Sequence, residues 1–274
     1  MTLFSHVRFA DRLYPLATLC LLLLSPFAGC DRDRGSGPAP GPACRITKRY
    51  GPAGSAPGEI YRYDPQRRLV EAYQEKDGNA FNVRAFSYDD DNRLRNATFA
   101  AAPGAPVTQT TTYRYDAQGR LTGWVTMENG RHTEVTRELD AAGTCTGLSS
   151  VATDLNSGVS STARFAYEYQ DGNLVRNTSD PGTESERHYT YTYYPDRENK
   201  LGAYEAVVGT LPGPSPSRHM RKTRTRVATA DAGAETWQYT YACNAEGFPT
   251  RITAVVRSAY ATDTLTTVLE YDCQ

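Results

Sequence analysis

The sequence predicts an all-β protein, a long up-and-down antiparallel meander of repeated β-hairpins. Three features carry that expectation. One tyrosine–aspartate–glycine unit recurs at near-constant spacing, turn residues stand midway between its copies, and no window beyond the N-terminal leader carries helical periodicity.

The clearest copy of the unit is YRYDAQGRL, Tyr113–Leu121. Tyr113 and Tyr115 are two residues apart, so they share one face of a strand. Asp116-Ala117-Gln118-Gly119 has the chemistry of a type I turn closed by a bulge. Aspartate accepts from nearby backbone N–H groups, and glycine takes the left-handed position. Leu121 opens the outgoing strand. Related units begin at Tyr61, Phe86, Arg137, Tyr167, Tyr191 and Tyr241, and their second-tyrosine position falls at 63, 88, 115, 139, 169, 193 and 243. Arg67 and Asn92 stand where Gly119 does, whereas Gly143 and Gly247 keep the glycine.

A second set of turns lies between the units: Asp77-Gly78, Pro103-Gly104, Asn129-Gly130, Asn156-Ser157-Gly158, Asp180-Pro181-Gly182 and Asp231-Ala232-Gly233. Two turns per period leave two strands of roughly 8–10 residues, or roughly 14–17 strands in all. Threonine, tyrosine and valine alternate with arginine, glutamate and glutamine, as in QTTTYRY and ETWQYTY. Short connections make successive strands antiparallel neighbours. So long a sheet curls, splits into a sandwich or closes into a barrel, and the pattern leaves the three open. Few leucines, valines or phenylalanines are placed to face lipid, which weighs against a membrane barrel. The core is expected to be tyrosine, leucine and valine, with tyrosine hydroxyls reaching water or a partner at the rim.

The unit resembles the YD-repeat (RHS-repeat) family, whose consensus reads roughly Tyr-Asp-x-x-Gly-Arg-Leu. Tyr115–Leu121 match it fully and the other units in part, over most of Tyr61–Cys273. Short Bacteroidetes-type lipoproteins bearing such repeats in a domain of unknown function are the nearer likeness. The resemblance implies a surface or periplasmic β-protein and no particular reaction.

Residues 1–29 read as a lipoprotein signal peptide. Arg8 and Arg12 precede an apolar run, Leu13–Ala28, that ends in FAGC. This resembles a lipobox, which makes Cys30 the lipidated residue and the membrane anchor. Residues 30–43 then form a Gly/Pro-rich tether, and residues 44–274 the repeat domain. Export to an oxidising compartment suggests disulfides among Cys44, Cys145, Cys243 and Cys273. Cys243 and Cys273 lie near the ends of the last two regular strand patterns, so they are the favoured pair, with Cys44–Cys145 by elimination.

A net charge of −1 argues against general attraction to nucleic acid. His132, His188 and His219 lack metal-ligand spacing, and no nucleophile elbow or phosphate loop is present. The sequence implies no cofactor and no metal. In YDDDN the acids fall at turn positions of the repeat, which outweighs a calcium-loop reading. Arg221, Lys222, Arg224 and Arg226 form the one basic concentration, a candidate anion patch in which the last three share a strand face. Before it lies the Pro-rich stretch Thr210–Ser217, expected to leave the meander as a longer loop. The expected role is a lipid-anchored cell-envelope module without enzymatic activity, a binding or scaffolding sheet for glycan or protein. The alternative is an envelope polysaccharide hydrolase using paired carboxylates.

Overall fold

A computed structural model describes residues 44–51, 58–201, 214–227 and 233–273. The leader, Cys30, the tether, the Asp231-Ala232 turn and the first part of the Pro-rich stretch lie outside the described residues. Sixteen strands follow in chain order: β1 (Cys44–Tyr50), β2 (Gly58–Tyr63), β3 (Leu69–Lys76), β4 (Asn79–Tyr88), β5 (Leu94–Ala100), β6 (Val107–Tyr115), β7 (Leu121–Glu128), β8 (Arg131–Leu139), β9 (Cys145–Asp154), β10 (Ser160–Gln170), β11 (Asn173–Ser179), β12 (Arg187–Glu198), β13 (His219–Arg226), β14 (Glu235–Cys243), β15 (Pro249–Arg257) and β16 (Thr262–Cys273). Each pairs antiparallel with its sequence neighbours, and β1 also pairs with β16, so the meander closes into a barrel. Closure leaves no edge strand with unpaired N–H and C=O groups.

The turn chemistry is as the sequence predicts. Arg67, Asn92, Gly119, Gly143 and Gly247 all have positive φ, 64°, 60°, 77°, 89° and 82°. The amide of each donates to the carbonyl of the residue that opens its turn, Asp64, Asp89, Asp116, Asp140 and Asn244. The ladder shifts register beside each of these turns, the mark of a bulge. Asp77-Gly78 and Asn129-Gly130, at the opposite end of the barrel, and Asp171-Gly172, at the same rim as the aspartate turns, have positive φ at both residues, which fits mirror-image type I turns. Asp171-Gly172 belongs to the first set of turns, where the repeat shortens.

Inward and outward faces differ. In β6, Thr111 and Tyr113 are buried and point inward, whereas Thr112 and Arg114 are exposed. The inward layer is packed: Trp124 is 2% exposed, Tyr61 3% and Leu69 0%. Tyrosine and leucine dominate it as expected, but valine does not. Val135 is buried, whereas Val107, Val151, Val159 and Val227 are exposed. Outward positions carry ion pairs between strands, Arg62–Glu71, Arg114–Glu134 and Arg176–Glu168.

Where β16 meets β1, one repeat unit is divided between the two ends of the domain. Tyr271-Asp272-Cys273 supplies its first half and Cys44-Arg45-Ile46 its second. Ile46 pairs with Tyr271 and Arg45 with Asp272, as leucine and arginine pair with tyrosine and aspartate in an intact unit. In place of a peptide turn, the disulfide Cys44–Cys273 joins the halves across 229 residues. This corrects the expected pairing. Cys243 and Cys273 are close in sequence, but β15 separates their strands by two spacings, about 9–10 Å, too far for a disulfide. Cys145 is instead a buried free thiol on β9, and Cys243 an exposed one.

Two outcomes are expected from this closure. Cys273→Ala should lower stability by up to about 5 kcal/mol, the chain-entropy value for so long a loop, seen as an earlier denaturant midpoint. Reduction of the native protein should reproduce the shift. At Gly123 an added Cβ would lie 2.2 Å from the Val135 carbonyl oxygen, whereas at Gly147 the nearest atom is the mobile Glu138 carboxylate. Gly123→Ala should therefore cost about 2–3 kcal/mol and Gly147→Ala clearly less.

Candidate functional site

Every part of the repeat has a bonding task at one rim of the barrel. The aspartate accepts twice from the residue four positions on. Arg68 donates to Asp64 from its amide and its Nε, both at 2.7 Å. Arg93 does the same to Asp89 at 2.8 Å, and Arg120 to Asp116 at 2.8 and 2.6 Å. Partial burial pushes the Asp89 and Asp116 carboxyls up, but the bonds from Arg93 and Arg120 outweigh it and hold both below the ordinary aspartate value. Asp91 pairs with Arg93, so Asp89 and Asp91 of YDDDN serve the turn.

The arginine then lies over the tyrosine of the next unit. Arg68 is 4.8 Å from the Tyr88 ring centre, Arg93 5.2 Å from Tyr115 and Arg45 5.0 Å from Tyr63. The tyrosine hydroxyl reaches back to the preceding unit. Tyr63 donates to the Ile46 carbonyl at 2.8 Å, Tyr88 to Leu69 at 2.8 Å and Tyr115 to Leu94 at 2.9 Å. Tyr193 and Tyr271 do the same to Leu174 and Pro249 at 2.6 and 2.7 Å, and in the last unit, where Cys243 holds the second position, the first tyrosine, Tyr241, donates to the Arg221 carbonyl at 2.9 Å. The hydroxyls were expected to meet water or a partner; instead they bind the wall.

Residues 105–132, which include this clearest unit, match the RHS Repeat family model. Over those residues the chain is similar to an RHS repeat. No curated protein matches it. Among solved structures it is similar to a porin-like protein from Bacteroides uniformis, at 15% identity and a TM-score of 0.54, over 85% of this chain and 98% of that one. That likeness is one of fold. A porin-like protein from Bacteroides vulgatus aligns at 12% identity over 83% of this chain and 98% of that one, with a TM-score of 0.36. TcdB2-TccC3 aligns at 14% identity and a TM-score of 0.31, over 79% of this chain but only 15% of its own length.

Two RHS-type units are patched. Leu139 has no hydroxyl, and buried Arg137 donates to the Leu121 carbonyl at 3.1 Å instead. Tyr169 donates at 3.3 Å to the carbonyl of Ser215, part of a strap formed by residues 214–218. The Ser215 hydroxyl accepts from the Cys145 amide, and the Ser217 hydroxyl accepts from the Leu174 amide and donates to Tyr193. The strap thus ties the ends of β9 to β12 together. Sequence reasoning placed a loop here but not its serines' task.

The basic concentration is rearranged by a bulge. Tyr193 pairs with Arg221, while Thr192 pairs with Thr223, so Lys222 drops out of the alternation. Lys222 therefore does not share a face with Arg224 and Arg226. Arg221 lies over Tyr191 and Tyr239, and buried Arg224 over Tyr189 and Trp237, all on the inner face. Arg226 pairs with Glu235 at 3.7 Å, and Lys222 lies 5.8 Å from the Tyr194 ring centre. The four do not form one solvent-facing patch. Cys145 donates its thiol to the Gly147 carbonyl, and burial pushes its pKa up, which makes it a poor nucleophile. His188 pairs with Glu186, and His219 meets Asn173. Among the described residues no group of three or more histidine, cysteine, aspartate or glutamate side chains could hold a metal ion.

A cleft of about 390 Å³ opens at the divided unit, lined in part by Arg45, Tyr63, Asp64, Pro65, Arg67 and Asp272. Asp64 is committed to Arg68. Arg67 keeps a left-handed backbone, at a cost of about 1 kcal/mol that glycine would avoid. Its Nη2 is buried with no hydrogen-bond partner. This residue was legible only as a departure from the repeat.

The tyrosine ladder has a pH signature. Burial above all, with the Asp64 and Asp89 carboxylates adding to it, pushes Tyr88 and Tyr115 up to about 12. An unfolded phenol ionises near 10. The folded values are raised, so this contribution to stability is complete below about pH 10 and is lost as pH rises toward 12. Ultraviolet absorbance should show tyrosinate forming later in the folded barrel than in the denatured chain. Tyr115→Phe should remove part of that lag and cost about 1 kcal/mol, since the Leu94 carbonyl loses its donor.

Proposed function

We propose that this chain is a lipid-tethered envelope protein whose closed RHS-repeat barrel stands in water and works as a binding or scaffolding module, without catalysis. The observation that carries this reading is the charged outer wall. Arg114 and Glu134 are 55% and 44% exposed, and Glu168 60%, on strands that a membrane barrel would turn toward lipid. An arginine at the bilayer midplane costs about 2–4 kcal/mol. A barrel with such pairs therefore needs a separate anchor, and a lipid on Cys30 would supply one.

The tether's place in the fold is consistent with that arrangement. Cys44 begins β1 at the rim that carries the aspartate turns. If the Gly/Pro-rich stretch 30–43 behaves as the coil its composition implies, its root-mean-square reach would be about 20 Å. The rim would then face the membrane at short range. For the hydrolase alternative, Asp64 and Asp272 are the acids that share a cleft, but Asp64 is held by the Arg68 amide and guanidinium. It has a turn to close, which leaves no second free acid for a carboxylate pair.

Membrane fractionation tests the reading. Full-length protein should incorporate labelled palmitate and sediment with membranes, and Cys30→Ala should do neither. A Cys30→Ala protein that stays in the membrane after alkaline carbonate washing would mean that the barrel itself is embedded.

A further inference from the structure

The geometry points to the cleft at the divided repeat unit as a carboxylate-binding site, for a small organic acid with a flat body or for a chain ending in a free carboxylate. In the intact units, Arg68, Arg93 and Arg120 each have a turn aspartate on their guanidinium. Arg45 holds the same place in the divided unit and lies over Tyr63 as its counterparts lie over theirs. It makes no ion pair among the described residues, although Asp272 is its partner in register. The position that a carboxylate fills elsewhere in the barrel is thus unfilled beside Arg45.

Arg67 is the independent second observation. Its turn position is asparagine or glycine in the other units that keep this turn, and its positive φ favours glycine. An arginine at a strained position points to a reason in its side chain. That side chain lines the same cleft and has a buried, unpartnered Nη2. With Asp64 neutralised by Arg68, the cleft holds two uncommitted guanidiniums against one exposed carboxylate, Asp272. A monocarboxylate balances that charge, and a guanidinium fork matches its two oxygens. Tyr63 and Pro65 offer the body of the ligand an apolar wall, within a volume suited to a small molecule.

The inference rests on the binding-module reading but not on the lipid anchor, so fractionation and ligand titration can fail separately. Full-length protein would be titrated with benzoate and with benzamide, its neutral isostere, by ligand-observed NMR. Benzoate should bind at least ten-fold more tightly, and less so as salt rises. Arg67→Gly restores the turn's preferred residue, so it should keep or raise the melting temperature while weakening benzoate at least ten-fold. Arg45→Gln should weaken it similarly. A peptide that competes with benzoate only when its C-terminus is free would identify a chain end as the source; competition by free acids alone would identify a small molecule. Equal affinity for benzamide, undiminished binding by Arg67→Gly, or tighter binding of inorganic phosphate than of benzoate would each overturn the assignment.

Discussion

The bond from a second tyrosine's hydroxyl to a carbonyl of the unit before it, made at Tyr63, Tyr88, Tyr115, Tyr193 and Tyr271, is the constraint on which the barrel depends. A strand pair alone fixes neighbours through backbone bonds. The phenol adds a side-chain link at the rim between one hairpin and the hairpin before it, as from Tyr88 to Leu69. The arginine strengthens the same junction, since Arg68 closes its own turn through Asp64 and lies over Tyr88. Unit and junction are therefore specified by one short motif. Spacing between units can drift because the motif acts at the rim, whatever the length of the far turn. Where the motif decays the link is replaced: Arg137 serves for the absent hydroxyl at 139, and Ser215 accepts from Tyr169.

A chain of such junctions has no natural end. Each unit offers a carbonyl to the next and needs one from the last, so an open array would leave an unpaired strand at both edges. Closure resolves both at once. The first half of a unit at Tyr271-Asp272 meets the second half at Arg45-Ile46, and Tyr63 bonds to Ile46 as Tyr88 does to Leu69. What the divided unit lacks is a peptide turn, and the Cys44–Cys273 disulfide occupies its place. Among the described residues the seam is accordingly a point at which an arginine of the repeat stands without its aspartate bond, and a cleft opens there.

Local structure was legible because it rests on local chemistry. Asp116 and Gly119 announce a turn in any context, and even Arg67 and Asn92 sit where the repeat demands a left-handed residue. Long-range consequences were not legible in the same way. Tyr271-Asp272 and Arg45-Ile46 are present in the sequence as fragments of the motif, but their union requires knowing that the sheet closes. Pairing Cys243 with Cys273 followed from nearness along the chain, which a barrel overrides. The alternation that seemed to place Lys222 beside Arg224 failed through one bulged residue, because a single insertion reverses every inward and outward assignment beyond it. The buried arginines of β13 were hidden for a further reason. A guanidinium reads as a surface group, yet Arg224 is 3% exposed between Tyr189 and Trp237, whose ring faces replace an anionic partner.

Likeness of fold and likeness of role separate at the outer wall. A closed antiparallel barrel of this strand number is compatible with a pore when its exterior is apolar and its interior wet. Here the assignment runs the other way. Tyrosine, leucine and tryptophan pack inward, with Trp124 only 2% exposed, while arginine and glutamate pair outward. Reversing that distribution would require changing alternate residues along most strands, a larger difference than any turn or loop. The shared barrel therefore reports how the chain satisfies its backbone, and the side chains on its two faces decide which solvent it meets. In this chain the ladder that closes the barrel also engages the second-tyrosine hydroxyls, as at Tyr63, Tyr88 and Tyr115, and at the seam, where the repeat is cut, Arg45 stands without the aspartate bond its counterparts make.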